Sequence, residues 1–212
     1  MKNGLFLDFD GTLVDSITQL QGAYFEFMEG QGHLGSLAEF NELNGPPLHE
    51  IIAQLKDKYS LDLPFIELLS TYREIIESHG PSLSMRPGAD RLILTAQSLS
   101  MSIAIVTSSP IDRVLRWIEN NDLEHVFDFV IGAESTTLGK PHPDPYLLAL
   151  RKLKIQAECA VAVEDSISGA TSALRAGLTT VMVSHETVSF ENPLLVEKKT
   201  LHDVAKYLQL GA

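Results

Sequence analysis

A chain of 212 residues, at about 150 per domain, is either one large domain or a core carrying a smaller insertion. Its 44% hydrophobic and 21% charged residues are ordinary globular composition, which excludes a disordered, collagen-like or low-complexity protein. Sixteen basic against twenty-eight acidic residues leave a net charge of −12, a field that repels nucleic acid and anionic lipid, so an anionic substrate would need that acidity neutralised locally.

The first run, Gly4 to Phe9, is nearly all apolar and ends in a polar, glycine-containing turn, the pattern of a buried strand. Asp8 interrupts it too early for a signal peptide, and no apolar stretch reaches the roughly 18 residues of a membrane span. A cytoplasmic protein with no membrane partner is expected. Residues 16–86 contain no convincing strand. They show helical spacing at Leu20, Tyr24, Phe27 and Met28, at Leu48, Ile51, Ile52 and Leu55, and at Phe65, Leu68, Leu69, Tyr72, Ile75 and Ile76. This stretch reads as an all-helical insertion hinged at Val14 to Ser16 and at Arg86-Pro87-Gly88.

From residue 88 onward short β-rich runs alternate with amphipathic segments, the pattern of βαβ units around a parallel sheet. The expected strands are Met101 to Thr107, Phe127 to Ile131, Cys159 to Glu164 and Leu178 to Val183. Ile111, Val114, Leu115 and Ile118 mark one helix, and Ile167, Ala170, Thr171 and Leu174 another that Gly177 closes. Cys159 is the single cysteine and lies in an apolar run, so it is expected to be a buried, inert thiol. Ser184 to Pro193 reads as polar loop and Leu201 to Leu210 as a last helix. The fold class is therefore α/β: a doubly wound, Rossmann-like parallel-sheet core from 1–15 and 87–212, with the helical insertion at 16–86.

In a doubly wound sheet ligands bind at the carboxyl ends of the strands, and here those ends carry polar clusters. In Asp8-Phe9-Asp10-Gly11 two carboxylates point the same way and repel each other unless a cation sits nearby; hard oxygen ligands suit Mg²⁺. The plainer alternative is an Asx-type turn. In Thr107-Ser108-Ser109-Pro110, hydroxyls and free amides suit a phosphate oxygen, or simply cap a helix with Pro110 in its first turn. In Gly139-Lys140-Pro141-His142-Pro143-Asp144, prolines stiffen a loop and fix the approach of Lys140, with His142 a loop residue. Glu164-Asp165-Ser166 is a second acidic pair, in which Asp165 or Ser166 can also serve as a helix cap. Together these residues supply a divalent-cation site, an anion site and a nucleophile.

Asp8-Phe9-Asp10-Gly11-Thr12-Leu13-Val14-Asp15-Ser16, Thr107, Lys140-Pro141-His142-Pro143-Asp144 and Glu164-Asp165-Ser166 resemble the four ordered motifs of the haloacid dehalogenase superfamily, and the helical insertion stands where its cap belongs. The resemblance spans residues 4 to about 183 and implies phosphoryl transfer through an aspartyl-phosphate. By position, Asp8 is the implied nucleophile, Asp10 the general acid and base, Thr107 and the Ser108 amide phosphate binders, and Lys140 the cation steadying nucleophile and phosphate. Asp8, Asp165 and the Asp10 carbonyl are the implied Mg²⁺ ligands, with Glu164 contributing to the shell. A carboxylate attacks a phosphate dianion poorly until Mg²⁺ and Lys140 offset the repulsion. An ionised Asp8 is expected to raise the Asp10 pKa, so that Asp10 can protonate a departing alkoxide.

Asp10 favours phosphate chemistry, because the dehalogenase branch lacks the second aspartate. β-Phosphoglucomutases have similar motifs, but their pattern carries a histidine where this chain has Leu20 and an arginine in the cap loop, which here reads Asn44-Gly45-Pro46-Pro47-Leu48. Both departures count against mutase activity. The loop is similar to that of phosphoglycolate-phosphatase-type enzymes, and its prolines also suit a helix start. The resemblance thus implies a phosphatase of a small phosphorylated metabolite, a sugar phosphate or a phosphoglycolate-like ester, acting as a monomer or weak dimer. A receiver-like regulatory module is the reading from another class; the length, the insertion and Asp10 stand against it.

Overall fold

The computed structural model describes residues 4–79, 83–183 and 191–211. Among them β1 (Gly4–Leu7), β2 (Ser102–Val106), β3 (Phe129–Ile131), β4 (Ala160–Glu164), β5 (Thr179–Val183) and β6 (Leu195–Lys198) form one parallel sheet in the order β3-β2-β1-β4-β5-β6. The chain runs outward from β1 through β2 to β3, then returns to place β4 on the other side of β1. The carboxyl ends of β1 and β4 therefore flank the switch point of the sheet, where open α/β folds form their binding crevice.

Helices cover both faces, which is why the central strands are apolar on both sides. Leu5 and Leu7 pack with α5 (Ala89–Ser98), α6 (Ile111–Asn120) and α9 (Leu201–Gln209) in one core, whereas Phe6 packs with α7 (Asp144–Leu153) and α8 (Ile167–Arg175) in another. The fold class expected from the alternating pattern is the one observed. Each expected strand is present, shorter by one or two residues in all. Edge strand β6 was not foreseen, because Leu195–Lys198 is short and exposed at Glu197, and so lacks an apolar pattern. Helices α5 and α7 also escaped, since the exposed Leu94 and Leu147 blur their spacing. Cys159 corrects an expectation: it closes a single 3₁₀ turn before β4 and is half-buried. Of the loop expected at Ser184 to Pro193, residues 184–190 lie outside the described residues.

The insertion consists of α1 (Ile17–Gly30), α2 (Leu37–Leu43), α3 (Leu48–Tyr59) and α4 (Phe65–His79), packed around a core of its own in which Phe27 stacks on Tyr72 at 4.6 Å. The seven-residue α2 is too short to show a helical repeat in sequence. The chain leaves and re-enters the sheet side by side: Asp15 N–H donates to the Ser84 carbonyl at 3.0 Å, and Arg86 N–H to that of Leu13 at 2.9 Å. No described helix is long and apolar enough to cross a membrane.

Within the insertion, the carboxylate of buried Glu39 accepts hydrogen bonds from Tyr24, from Tyr59 at 2.9 Å and from Lys58 at 2.5 Å. Burial opposes its charge, but these donors outweigh it and hold the carboxyl below its usual range. A depressed folded-state pKa contributes stability that is present above the unfolded value of about 4.3 and is lost as pH falls through the folded one. Glu39→Ala is accordingly expected to cost about 1–3 kcal/mol at neutral pH, with the deficit shrinking in acid below pH ~4. Urea midpoints measured across that range check it.

Candidate active site

Residue pairing explains how distant acids meet. Leu7 stands opposite Val163 in the parallel β1–β4 register, so the next residue on each strand, Asp8 and Glu164, lie side by side at the crevice. Carboxylate oxygens of Asp8, Glu164 and Asp165 all fall within 4.8 Å of one another. The Lys140 ammonium, only 1% exposed, rises between them from the loop before α7. It donates to Asp8 Oδ1 at 2.7 Å, to Glu164 Oε1 at 2.6 Å and to the Val106 carbonyl at 2.8 Å. Tyr146 on α7 donates to the same Glu164 oxygen, while Glu164 Oε2 is buried without a hydrogen-bond partner.

Glycines make the room this cluster needs. Gly11 turns the chain with φ +77°, and a Cβ there would lie 2.0 Å from Asp165 Oδ2. A Cβ on Gly169 would lie 1.9 Å from Glu164 Oε2. Because Lys140 and Tyr146 pin that carboxylate, Gly169→Ala is expected to overpack the site and lower stability by about 1–3 kcal/mol, read from denaturant midpoints. Ser166 caps α8 by accepting the Gly169 N–H at 3.0 Å, which leaves Asp165 free to join the acids.

The electrostatics show a charge deficit. Burial raises the Asp8 pKa well above the ordinary carboxylate value; Lys140 pulls it back, and Glu164 and Asp165 push it further up. Burial and then Glu164 raise Asp165 to about 7. Burial disfavours the Lys140 charge, yet Asp8 and Glu164 outweigh it and hold the ammonium protonated above its usual range. With Lys140 among the three carboxylates and Arg86 acting on Asp165, the cluster remains net negative when all are ionised. A hard divalent cation matches that charge and the all-oxygen donor set, and the orphaned Glu164 Oε2 is a further available oxygen.

Asp10 departs from expectation. Its carboxylate is outside the three-acid group: Ser109 Oγ donates to it at 2.5 Å, and Arg113 Nη1 lies 2.8 and 2.9 Å from its two oxygens. Burial favours the neutral acid, but Arg113 and Ser109 outweigh burial and lower its pKa, opposite to the rise expected from Asp8. The side chain is thus taken by a cation, which leaves the main-chain carbonyl as the ligand atom the resemblance implies. Arg113 is the functional candidate that sequence reading missed. It stands four residues after Ser109, on the first turn of α6, off the apolar face that marks the helix in sequence.

Thr107, directly after β2, is buried and accepts the Ser109 N–H at 3.0 Å. It does not cap α6, whose N-cap is Pro110, one residue before the first helical turn. Ser108 Oγ donates to the Gly45 carbonyl at 2.6 Å, joining the insertion to the crevice. Gly45 has φ +110°, and a Cβ there would lie 2.6 Å from Ser168 Cβ, so the loop lies flat against the start of α8. His142 is an exposed loop residue whose carbonyl accepts from Ser172 at 2.5 Å. A cavity of about 300 Å³ opens above the acids, lined by Asp8, Asp10, Thr107, Ser108, Arg113 and Asp165 below and by Asn44, Gly45 and Pro46 above. Lys140 and Glu164 form its buried support.

The family model for haloacid dehalogenase-like hydrolases matches residues 5–183. Among curated proteins, the chain is 29% identical to the phosphorylated carbohydrates phosphatase of Thermotoga maritima, over 82% of this chain and 81% of that protein. Among solved structures, CbbY from Rhodobacter sphaeroides in complex with phosphate superposes with TM-score 0.81 at 24% identity, covering 96% of each chain. A β-phosphoglucomutase from Clostridium difficile superposes with TM-score 0.86 at 17% identity, covering 99% of this chain and 96% of that one. At such identities the superpositions establish the shared fold.

Proposed function

Because this chain belongs to the haloacid dehalogenase-like hydrolase family, we propose that it is a Mg²⁺-dependent phosphatase that hydrolyses a small phosphomonoester through an aspartyl-phosphate on Asp8. The observation that carries the reading is the buried Lys140 bridging Asp8 and Glu164 directly beneath the cavity. Lys140 fixes Oδ1 of Asp8, whereas Oδ2 makes no hydrogen bond among the described residues and keeps its lone pairs for attack. Asp8, Asp165 and the Asp10 carbonyl would hold Mg²⁺, with Glu164 supporting them; the ion supplies the positive charge that lets a carboxylate approach a phosphate dianion.

In the first half-reaction a bond forms from Asp8 Oδ2 to phosphorus as the ester P–O bond breaks, and the departing alkoxide takes a proton from Asp10. In the second, water attacks the same phosphorus, Asp10 accepts its proton, and inorganic phosphate leaves with Asp8 restored. For Asp10 to carry that proton, Arg113 must release its carboxylate; the substrate's phosphate oxygens are the competing anion. Thr107 and the Ser108 amide are the proposed phosphate binders, and residues 16–86 the cap that keeps bulk water from the reacting centre.

Mutase chemistry is the second reading. It requires the cap to grip a second charged end of a sugar bisphosphate; Leu20 and the arginine-free Asn44-Gly45-Pro46 loop do not supply that grip, and Arg73 on α4 is the cap cation that lines the cavity. Phosphate release from a panel of phosphorylated metabolites, sugar phosphates and phosphoglycolate included, tests the proposal. Multiple turnovers are expected with Mg²⁺, and a loss of about 10³-fold or more with a chelator. Fast isomerisation of glucose 1-phosphate would favour the mutase, and a stable acyl-phosphate without turnover the receiver-like module.

A further inference from the structure

The upper wall of the cavity is aliphatic. Leu20 reaches it from α1, Leu43 from α2, Leu48 and Ile51 from α3, and Ile76 from α4. Two polar groups of that wall are already committed. Tyr24 donates to Glu39 and accepts the Ser36 N–H at 3.2 Å, and the Gly45 carbonyl accepts from Ser108. Tyr72, 5% exposed and stacked on Phe27, has a hydroxyl with no partner among the described residues. Asn44 adds one side-chain amide, while Arg73 and Glu77 stand at the exposed rim, Glu77 3.8 Å from Arg116.

We infer that the alcohol released by this enzyme is aliphatic or aryl-alkyl, with few polar groups, and that the cap wall discriminates against polyols. The inference rests on the phosphatase reading and narrows its substrate class. A polyol carried beneath this wall gives up water at several hydroxyls and finds in return the Tyr72 hydroxyl, the Asn44 amide and, towards solvent, Arg73 and Glu77, whereas each methylene gains by leaving water along the Leu20, Leu43, Leu48, Ile51 and Ile76 face. A cavity of about 300 Å³ is at the lower end for small-molecule sites, which favours an alcohol of a few carbons.

The test compares n-butyl phosphate with erythritol 4-phosphate, with p-nitrophenyl phosphate as control, all with Mg²⁺. Both four-carbon esters release a primary alcohol, and the neighbouring hydroxyl makes the polyol the better leaving group, so intrinsic reactivity favours erythritol 4-phosphate. We expect kcat/KM for n-butyl phosphate to be about 10- to 100-fold the higher. Equal or reversed values overturn the inference and leave the phosphatase reading standing. So does turnover of p-nitrophenyl phosphate with neither alkyl nor polyol ester accepted. Hydrolysis of none of the three also overturns the inference, and the phosphatase reading falls with it when the metabolite panel releases no phosphate either.

Discussion

Asp8→Asn is expected to eliminate turnover while leaving a folded protein. The amide keeps the shape of the side chain and can still accept from Lys140, but it is no nucleophile and offers one weak ligand oxygen in place of a carboxylate. Loss of the proposed attacking group predicts a fall in phosphate release of at least about 10⁴-fold. Stability should move the other way or not at all. Asp8 is one of three acids gathered within 4.8 Å, and removing its charge relieves repulsion from Glu164 and Asp165 that a single ammonium does not cancel. A urea midpoint at or above wild type, together with absent turnover, is the expected pair of results. Undiminished activity would exclude Asp8 as the attacking group.

Lys140→Met carries the second large effect, and here the fold suffers too. Methionine fills much of the same volume, yet it leaves Asp8 and Glu164 facing each other without the ammonium that joins them. Breaking a buried ion pair from one side costs about 3–5 kcal/mol, because the remaining charges are stranded away from water. Activity should fall by about 10³-fold or more, since the same cation holds Oδ1 of the proposed nucleophile. Lys140→Arg is not expected to rescue either property: a planar guanidinium does not fit a site 1% exposed whose three acceptors converge on one nitrogen. Adding Mg²⁺ should raise the stability of Lys140→Met, because an ion held by the stranded acids binds the folded state alone. Denaturation with and without the metal measures it.

Much of the site was legible because its residues sit at ends of apolar runs. Asp8 ends the run at Leu7, Thr107 the run at Val106, and Glu164 and Asp165 the run at Val163; parallel strands necessarily bring such ends to one edge. Lys140 could be picked out only as a lysine in a stiff loop, and its contact with Asp8 spans 132 positions. The Asp10–Arg113 pair spans 103, and the expectation for Asp10 failed there: local sequence showed a neighbouring acid, whereas packing of α6 brought a neighbouring cation.

Local order along the chain was therefore enough to determine the α/β class, the helical insertion and the strand-end acids, since hydrophobic periodicity and turn chemistry act over a few residues. Tertiary structure alone decided which charges touch: that Lys140 is shared by Asp8 and Glu164, that Arg113 holds Asp10, and that Gly45 rests on Ser108 beneath an aliphatic wall. The physical reason is that electrostatic and steric effects depend on distance in space and on burial, and neither quantity is written in the spacing of residues along a chain.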